Sequence, residues 1–304
     1  MTLPLPSHAS NLIGHEPALT LFEKAFQKGT LSHAWLISGP SGIGKETFVF
    51  HCIKLLLKIS PNSLDEKRLL AGTHEGIVIL RREIDDHGLP KKRDIPVEEV
   101  RHLNHFFQRT STHNTWRVAV IDGAENLSIS AANALLKLIE EPPPRTVFFL
   151  ITSRLGSIQD TIRSRCRLLK LFPLSDRDMR KLIPEISESV LKYAKGSPRI
   201  ALLLSEEKYA HLPNLIDALI EGGALDTIKE KISHLQQGEG TSLFYLLLKE
   251  GIACKSRQAV QNENYIQAQE LAKRYFKLQE LLLDSERFSL EKDQVLTESL
   301  ALLQ

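Results

Sequence analysis

Gly39-Pro-Ser-Gly42-Ile-Gly44-Lys45-Glu46-Thr47 has residue types and spacing suited to holding phosphate. In a G-x-x-x-x-G-K loop the glycines let backbone N–H groups converge on an anion, and the following helix adds its positive dipole end. Lys45 is the residue expected to reach the β- and γ-phosphates. The next position normally carries a Ser or Thr hydroxyl for Mg²⁺. Here it is Glu46, with Thr47 one step later. A carboxylate there can hold a metal but repels a triphosphate. The bland alternative is a glycine-rich turn without a ligand. A second cue is the apolar run Val118–Ile121 ending in Asp122, the arrangement in which an aspartate positions Mg²⁺ beside such a loop. The residue after it, where a water-polarising glutamate is expected, is Gly123, and Glu125 falls too far along to take that place. Both departures fall on hydrolytic roles, which reads as a nucleotide-site fold that has lost, or nearly lost, hydrolysis.

These residues need strands and helices to hold them. Ala34–Ser38 is an apolar run directly before the loop, and Phe48, Cys52, Leu55 and Ile59 recur after it at helical spacing. Gly76–Leu80, Val118–Ile121, Val147–Thr152 and Leu168–Leu171 are further strand candidates. A helix follows Pro96, and Ile129–Glu141 is helical until three prolines stop it. Five strands separated by helices predict an α/β fold, a parallel sheet covered on both faces. The polar stretch Ser60–Gly72 reads as a loop. After Pro173 no strand is expected. Ser175 with Asp178 resembles a capping box, Gly196 suits a left-handed helix stop, and Ser197-Pro198 suits the start of a short helix. From Tyr209 the pattern is helical, with a break at Gly238-Glu239-Gly240.

Composition excludes several classes. The 304 residues are 42% hydrophobic and 25% charged with a net charge of +2, an ordinary globular balance. Any nucleic-acid contact must then come from a local patch. The three cysteines are far apart and form no CxxC, which argues against a disulfide framework and a zinc site. The N-terminus lacks a basic segment followed by an apolar one, and no apolar run approaches the ~18–20 residues of a membrane helix. The expectation is a soluble cytoplasmic protein without membrane contact.

Ala131-Ala-Asn-Ala-Leu-Leu-Lys-Leu-Ile-Glu-Glu-Pro-Pro143 resembles the NALLK-x-LEEPP signature of the clamp-loader AAA+ family of bacterial DNA polymerase III. Ser164-Arg165-Cys166 matches the family's SRC motif, and Leu12–His15 and Ser32–Pro40 also fit. The similarity runs from about residue 11 to 172 and is nearest the delta-prime branch. Many members carry a four-cysteine zinc module after the phosphate loop, but residues 60–117 contain no cysteine, so no zinc is expected. At this length, the long C-terminal extension of the tau form is not expected.

The resemblance implies an AAA+ core over residues 1–172, a helical lid over 173–208 and a helical collar over 209–304. It implies gamma/tau and delta types as partners in a hetero-pentameric ring. With ATP, that ring opens the sliding clamp and places it on primer–template DNA. The SRC arginine, Arg165, would reach the γ-phosphate held by a neighbouring subunit, a task suited to a permanently charged, bidentate guanidinium. Arg154, Arg163, Arg165, Arg167 and Lys170 make a local basic patch against Asp160 alone. The ordinary fate of such an arginine is a surface ion pair. Thr152 takes the sensor-1 position by resemblance, and Arg199, near a helix start where a cation is mildly unfavourable, the sensor-2 position. Asn133, Lys137, Glu140 and Glu141 are candidates for subunit contacts. ATP binding is open, with Mg²⁺ dependence undecided. The leading reading is a non-motor subunit of the polymerase (nucleotidyltransferase) holoenzyme with background ATPase activity of its own. The alternatives are an ATP-hydrolysing motor subunit of the same loader and a phosphate-loop phosphotransferase. The SRC motif and the helical second half oppose the phosphotransferase.

Overall fold

The computed structural model describes residues 12–83, 91, 94–108, 115–222, 239–288 and 292–302. These fall into two compact units. One comprises the described residues up to Glu185 together with Lys195–Arg199, and the other Ile186–Ala194 with the described residues from Ile200 on. The segment expected as a lid, 173–208, is therefore divided between the two.

The first unit is a five-stranded sheet of β1 (Ala34–Ser38), β2 (Ile77–Leu80), β3 (Arg117–Asp122), β4 (Thr146–Thr152) and β5 (Arg167–Lys170), in the order β2-β3-β4-β1-β5. Every pairing is parallel. The strands alternate their side chains between two cores. Trp35, Ile37, Val118, Val120, Phe149 and Ile151 pack beneath α1 (Glu16–Gln27) and α2 (Lys45–Leu57), with Phe22 and Phe48. Ala34, Leu36, Ala119, Ile121, Phe148 and Leu150 face α4 (Val97–Gln108) and α5 (Ile129–Glu140), with Leu103 and Leu135. Burial on both faces is why these strands are continuous apolar runs. The unit is a parallel α/β core with helices on both faces.

The stretch 60–72 departs from the expected loop. It carries the helix α3 (Leu64–Leu70). Ser63 Oγ accepts from the Glu66 N–H, and Glu66 reaches back to the Asn62 N–H at 2.6 Å. That is a capping-box arrangement displaced by one residue, and a single buried side chain, Leu69, faces inward. At α7 (Asp176–Leu182) the Ser175 Oγ accepts from the Asp178 N–H as expected. The Asp178 carboxylate, one methylene shorter than glutamate, takes the Ser175 hydroxyl at 2.7 Å.

The second unit holds α8 (Glu188–Ala194), most of α9 (Pro198–Leu204), α10 (Leu212–Ile220) and the long helices α11 (Glu239–Gln261) and α12 (Tyr265–Phe288), followed by α13 (Lys292–Ala301). Gly238 lies outside the described residues, and Glu239 and Gly240 form the first turn of α11, not a break. Lys192 and Tyr193 of α8 both donate to Asp217 of α10, at 2.7 and 2.8 Å.

Candidate functional site

Ligands of open parallel sheets sit beyond the carboxyl ends of the strands, near a topological switch point. Four strands deliver residues to that edge here. The loop after β1 begins with the Gly39 N–H donating to Thr152 O of β4, at 3.3 Å. A Cβ on Gly39 would stand 2.5 Å from Leu171 O, so no larger residue fits without displacing backbone. Gly42 (φ +77) and Gly44 (φ +96) are left-handed, the conformation glycine adopts without strain. A Cβ on Gly42 would come within 2.9 Å of Arg199 Cβ, and the Arg199 N–H donates to Gly42 O at 3.2 Å. Gly44 then caps α2.

Lys45 is 7% exposed, and its three ammonium protons go to Gly39 O, Pro40 O and Ser153 Oγ, at 2.8, 2.7 and 2.8 Å. Burial lowers its pKa to about 8, against the pull of Glu125 and Asp122. Of the two hydroxyls ending β4, it is Ser153 that touches the lysine. Thr152 is 1% exposed, and its Oγ1 accepts from the Arg154 N–H at 3.1 Å. Alternation along the strand turns Thr152 into the sheet and leaves Ser153 at the edge.

Glu46 sits in the first turn of α2, paired with Arg81 at 3.0 Å, and Thr47 beside it is half-buried. Burial pushes the Glu46 carboxyl up, Asp122 adds to this, and Arg81 opposes it. Burial likewise raises Asp122 from its ordinary value, with Arg81 and then Lys45 pulling it back. Gly123 does more than lack a carboxylate. It is left-handed (φ +77), and a Cβ there would lie 2.5 Å from Asn126 Nδ2. That turn folds the 3₁₀ segment Ala124–Asn126 back, so Glu125 Oε1 accepts from the Ser153 N–H at 3.1 Å. The other oxygen, Oε2, is buried without a hydrogen-bond partner among the described residues. Glu125 was expected not to take the place of the water-polarising glutamate; its carboxylate is nevertheless turned back onto the Ser153 N–H. Sequence reasoning placed a strand-end hydroxyl here but favoured Thr152 over its neighbour Ser153, set Glu125 aside, and passed over Arg81. The left-handed turn at Gly123 was the available signal for Glu125.

Arg165 is not part of this cluster. It follows the short helix α6 (Asp160–Arg163) and lies 42% exposed, its Nε 2.7 Å from Glu140 Oε1 of α5. Its Nη1 donates to Thr161 O at 3.1 Å and to Ser164 Oγ at 3.4 Å. The neighbouring arginines differ from it. Arg163 closes α6 with Asp160 at 2.7 Å, and Arg167 opens β5 with its guanidinium 5.0 Å from the Trp35 ring centre. Among the described residues, no group of three or more His, Cys, Asp and Glu could hold a metal ion, and no helix is long and apolar enough to cross a membrane.

A glycine-rich loop joining a buried strand to a helix, in a parallel sheet of this order, defines a phosphate-loop protein. The family described as DNA polymerase III, delta subunit, matches residues 14–175. The chain belongs to that family. It is 34% identical over 216 residues to the DNA polymerase III subunit gamma of Buchnera aphidicola subsp. Schizaphis graminum, covering 66% of this chain and 58% of that protein. It is 34% identical over 142 residues to subunit delta' of Pseudomonas aeruginosa, 44% of this chain and 42% of that one. With subunit delta' of Bacillus subtilis it shares 26% over 241 residues, 75% and 67%. The chain thus spans about two fifths to two thirds of the length of these relatives.

Proposed function

We propose that the chain is a non-motor, delta-prime-type subunit of the clamp loader of bacterial DNA polymerase III. It works in the cytoplasm with gamma/tau and delta types in a hetero-pentameric ring that places the sliding clamp on primer–template DNA. Relatives named gamma and delta' both match, so the choice between them rests on the chemistry of the chain's own residues. The carrying observation is Arg165. Glu140 engages its Nε, and Thr161 and Ser164 its Nη1, while Nη2 makes no hydrogen bond among the described residues. A half-exposed guanidinium with one nitrogen unengaged is suited to a phosphate bound by a neighbour. The chain's own hydrolytic positions are meanwhile held by Arg81-paired Glu46 and by Gly123.

Assembly is assigned to the second unit, with residues 209–304 as collar and 173–208 as lid. Tyr265, Phe276 and Leu283 of α12 are 66%, 67% and 58% exposed, and their spacing returns to one side of a 3.6-residue helix. An exposed apolar stripe of this kind supports docking against other helices.

One observation favours the motor reading: the Glu125 carboxylate returned beside Lys45. ATPase activity of the isolated full chain separates the two. The expected rate is background. A substantial rate that disappears in Lys45→Ala would replace the non-motor reading with the motor one.

A further inference from the structure

The phosphate loop implies a magnesium ion, held by a hydroxyl on the residue after the lysine and by the aspartate ending the second acidic strand. The residues of this chain do not fit that ion. The residue after Lys45 is Glu46, and its Oε1 is taken by Arg81 Nη2 at 3.0 Å. Arg81 directly follows β2. Because Leu80 pairs with Ile121 in the parallel register, the next residue of that strand comes alongside Asp122. Arg81 therefore stands at the sheet edge beside one metal-type carboxylate and bonded to the residue in the other metal-type position. Glu46 is 19% exposed and Arg81 49%, so the pair is anchored at its acidic end and open at its basic one. Arg81 is also the cation that most opposes protonation of both carboxylates. An exposed ion pair is worth only about 0–1 kcal/mol to folding, so its significance lies in where it puts the charge.

We propose that Arg81 is a built-in cation in the place of magnesium, and that this loop takes the phosphates of a nucleotide as the metal-free anion. A guanidinium is permanently charged and presents several donors to phosphate oxygens, so it can neutralise and orient them as a tethered ligand. It also repels a divalent ion from the two carboxylates it serves. Glu46, a defect for a metal-dependent loop, becomes the residue that holds the substitute in position. The inference rests on the loop being a phosphate site and is independent of the role assigned to Arg165.

The test is calorimetric binding of ADP to the isolated full chain, in EDTA and in excess magnesium. The wild-type dissociation constant should be no tighter in magnesium than in EDTA, and should weaken to the extent that the metal takes up free ADP. In Arg81→Ala/Glu46→Thr, which removes the guanidinium and restores the hydroxyl, magnesium should tighten binding by about tenfold or more, the equivalent of about 1.4 kcal/mol. Glu46→Thr alone keeps the guanidinium and should remain insensitive to magnesium. The proposal is overturned if magnesium tightens wild-type binding tenfold, if the wild type binds no ADP in EDTA, or if Glu46→Thr alone gains the full magnesium response.

Discussion

Arg165→Ala should leave the chain folded and assembled, yet remove from the reconstituted complex the share of clamp- and DNA-stimulated ATPase that this arginine serves. At a single site, loss of an arginine supplied by a neighbour costs about 10³-fold or more in rate. Other sites in a ring keep their own arginines, so the total falls by the contribution of one site and not to zero. Local packing predicts an intact fold, because the Arg165 side chain is 42% exposed and its ion pair with Glu140 is a surface one. Arg165→Lys should rescue poorly, since a point charge cannot reproduce contacts made from a planar fork. Arg163→Ala and Arg167→Ala are controls for positive field. Arg163 is occupied by Asp160 and Arg167 by the Trp35 ring, and both should have smaller effects. Steady-state ATPase with each variant incorporated at equal stoichiometry reads all four.

The second large effect concerns stability. Trp35 is fully buried in β1, its ring 5.2 Å from that of Phe22 and its Nε1 donating to Ser32 O at 2.9 Å. Trp35→Ala leaves a cavity beneath α1 and should cost about 3–5 kcal/mol, a large part of the ~5–15 kcal/mol that holds a domain together. Urea unfolding should show a lower midpoint with an unchanged slope. The effect extends to the site, because β1 carries the phosphate loop and pairs with β4 through Ser38 and Thr152. A loss below about 1 kcal/mol would mean that the site collapses around the smaller residue, contrary to the close packing expected of such a core.

The fold was largely legible because the strands carry their own signal. A central parallel strand buries both faces, so β1 and β4 read as unbroken apolar runs without knowledge of partners. The phosphate loop was legible for a similar reason: positive φ at Gly42 and Gly44 demands glycine locally. The helix at Leu64–Leu70 was not legible, because it buries one side chain and its cap was read as loop chemistry. The rest of the site depends on placements that spacing does not encode. Strand register brings Arg81 alongside Asp122, a left-handed turn returns Glu125, and strand alternation puts Ser153 rather than Thr152 against Lys45. The pairing of Arg165 with Glu140 joins two motifs that are adjacent only in the folded chain.

The central claim, that this chain contributes an arginine and not a turnover, is tested most directly by one comparison. Stimulated ATPase of the reconstituted complex is measured with this chain as wild type, as Lys45→Ala and as Arg165→Ala. The account predicts that Lys45→Ala matches wild type, since no hydrolysis depends on this loop, while Arg165→Ala loses the activity of the served site. Loss with Lys45→Ala and none with Arg165→Ala would contradict it.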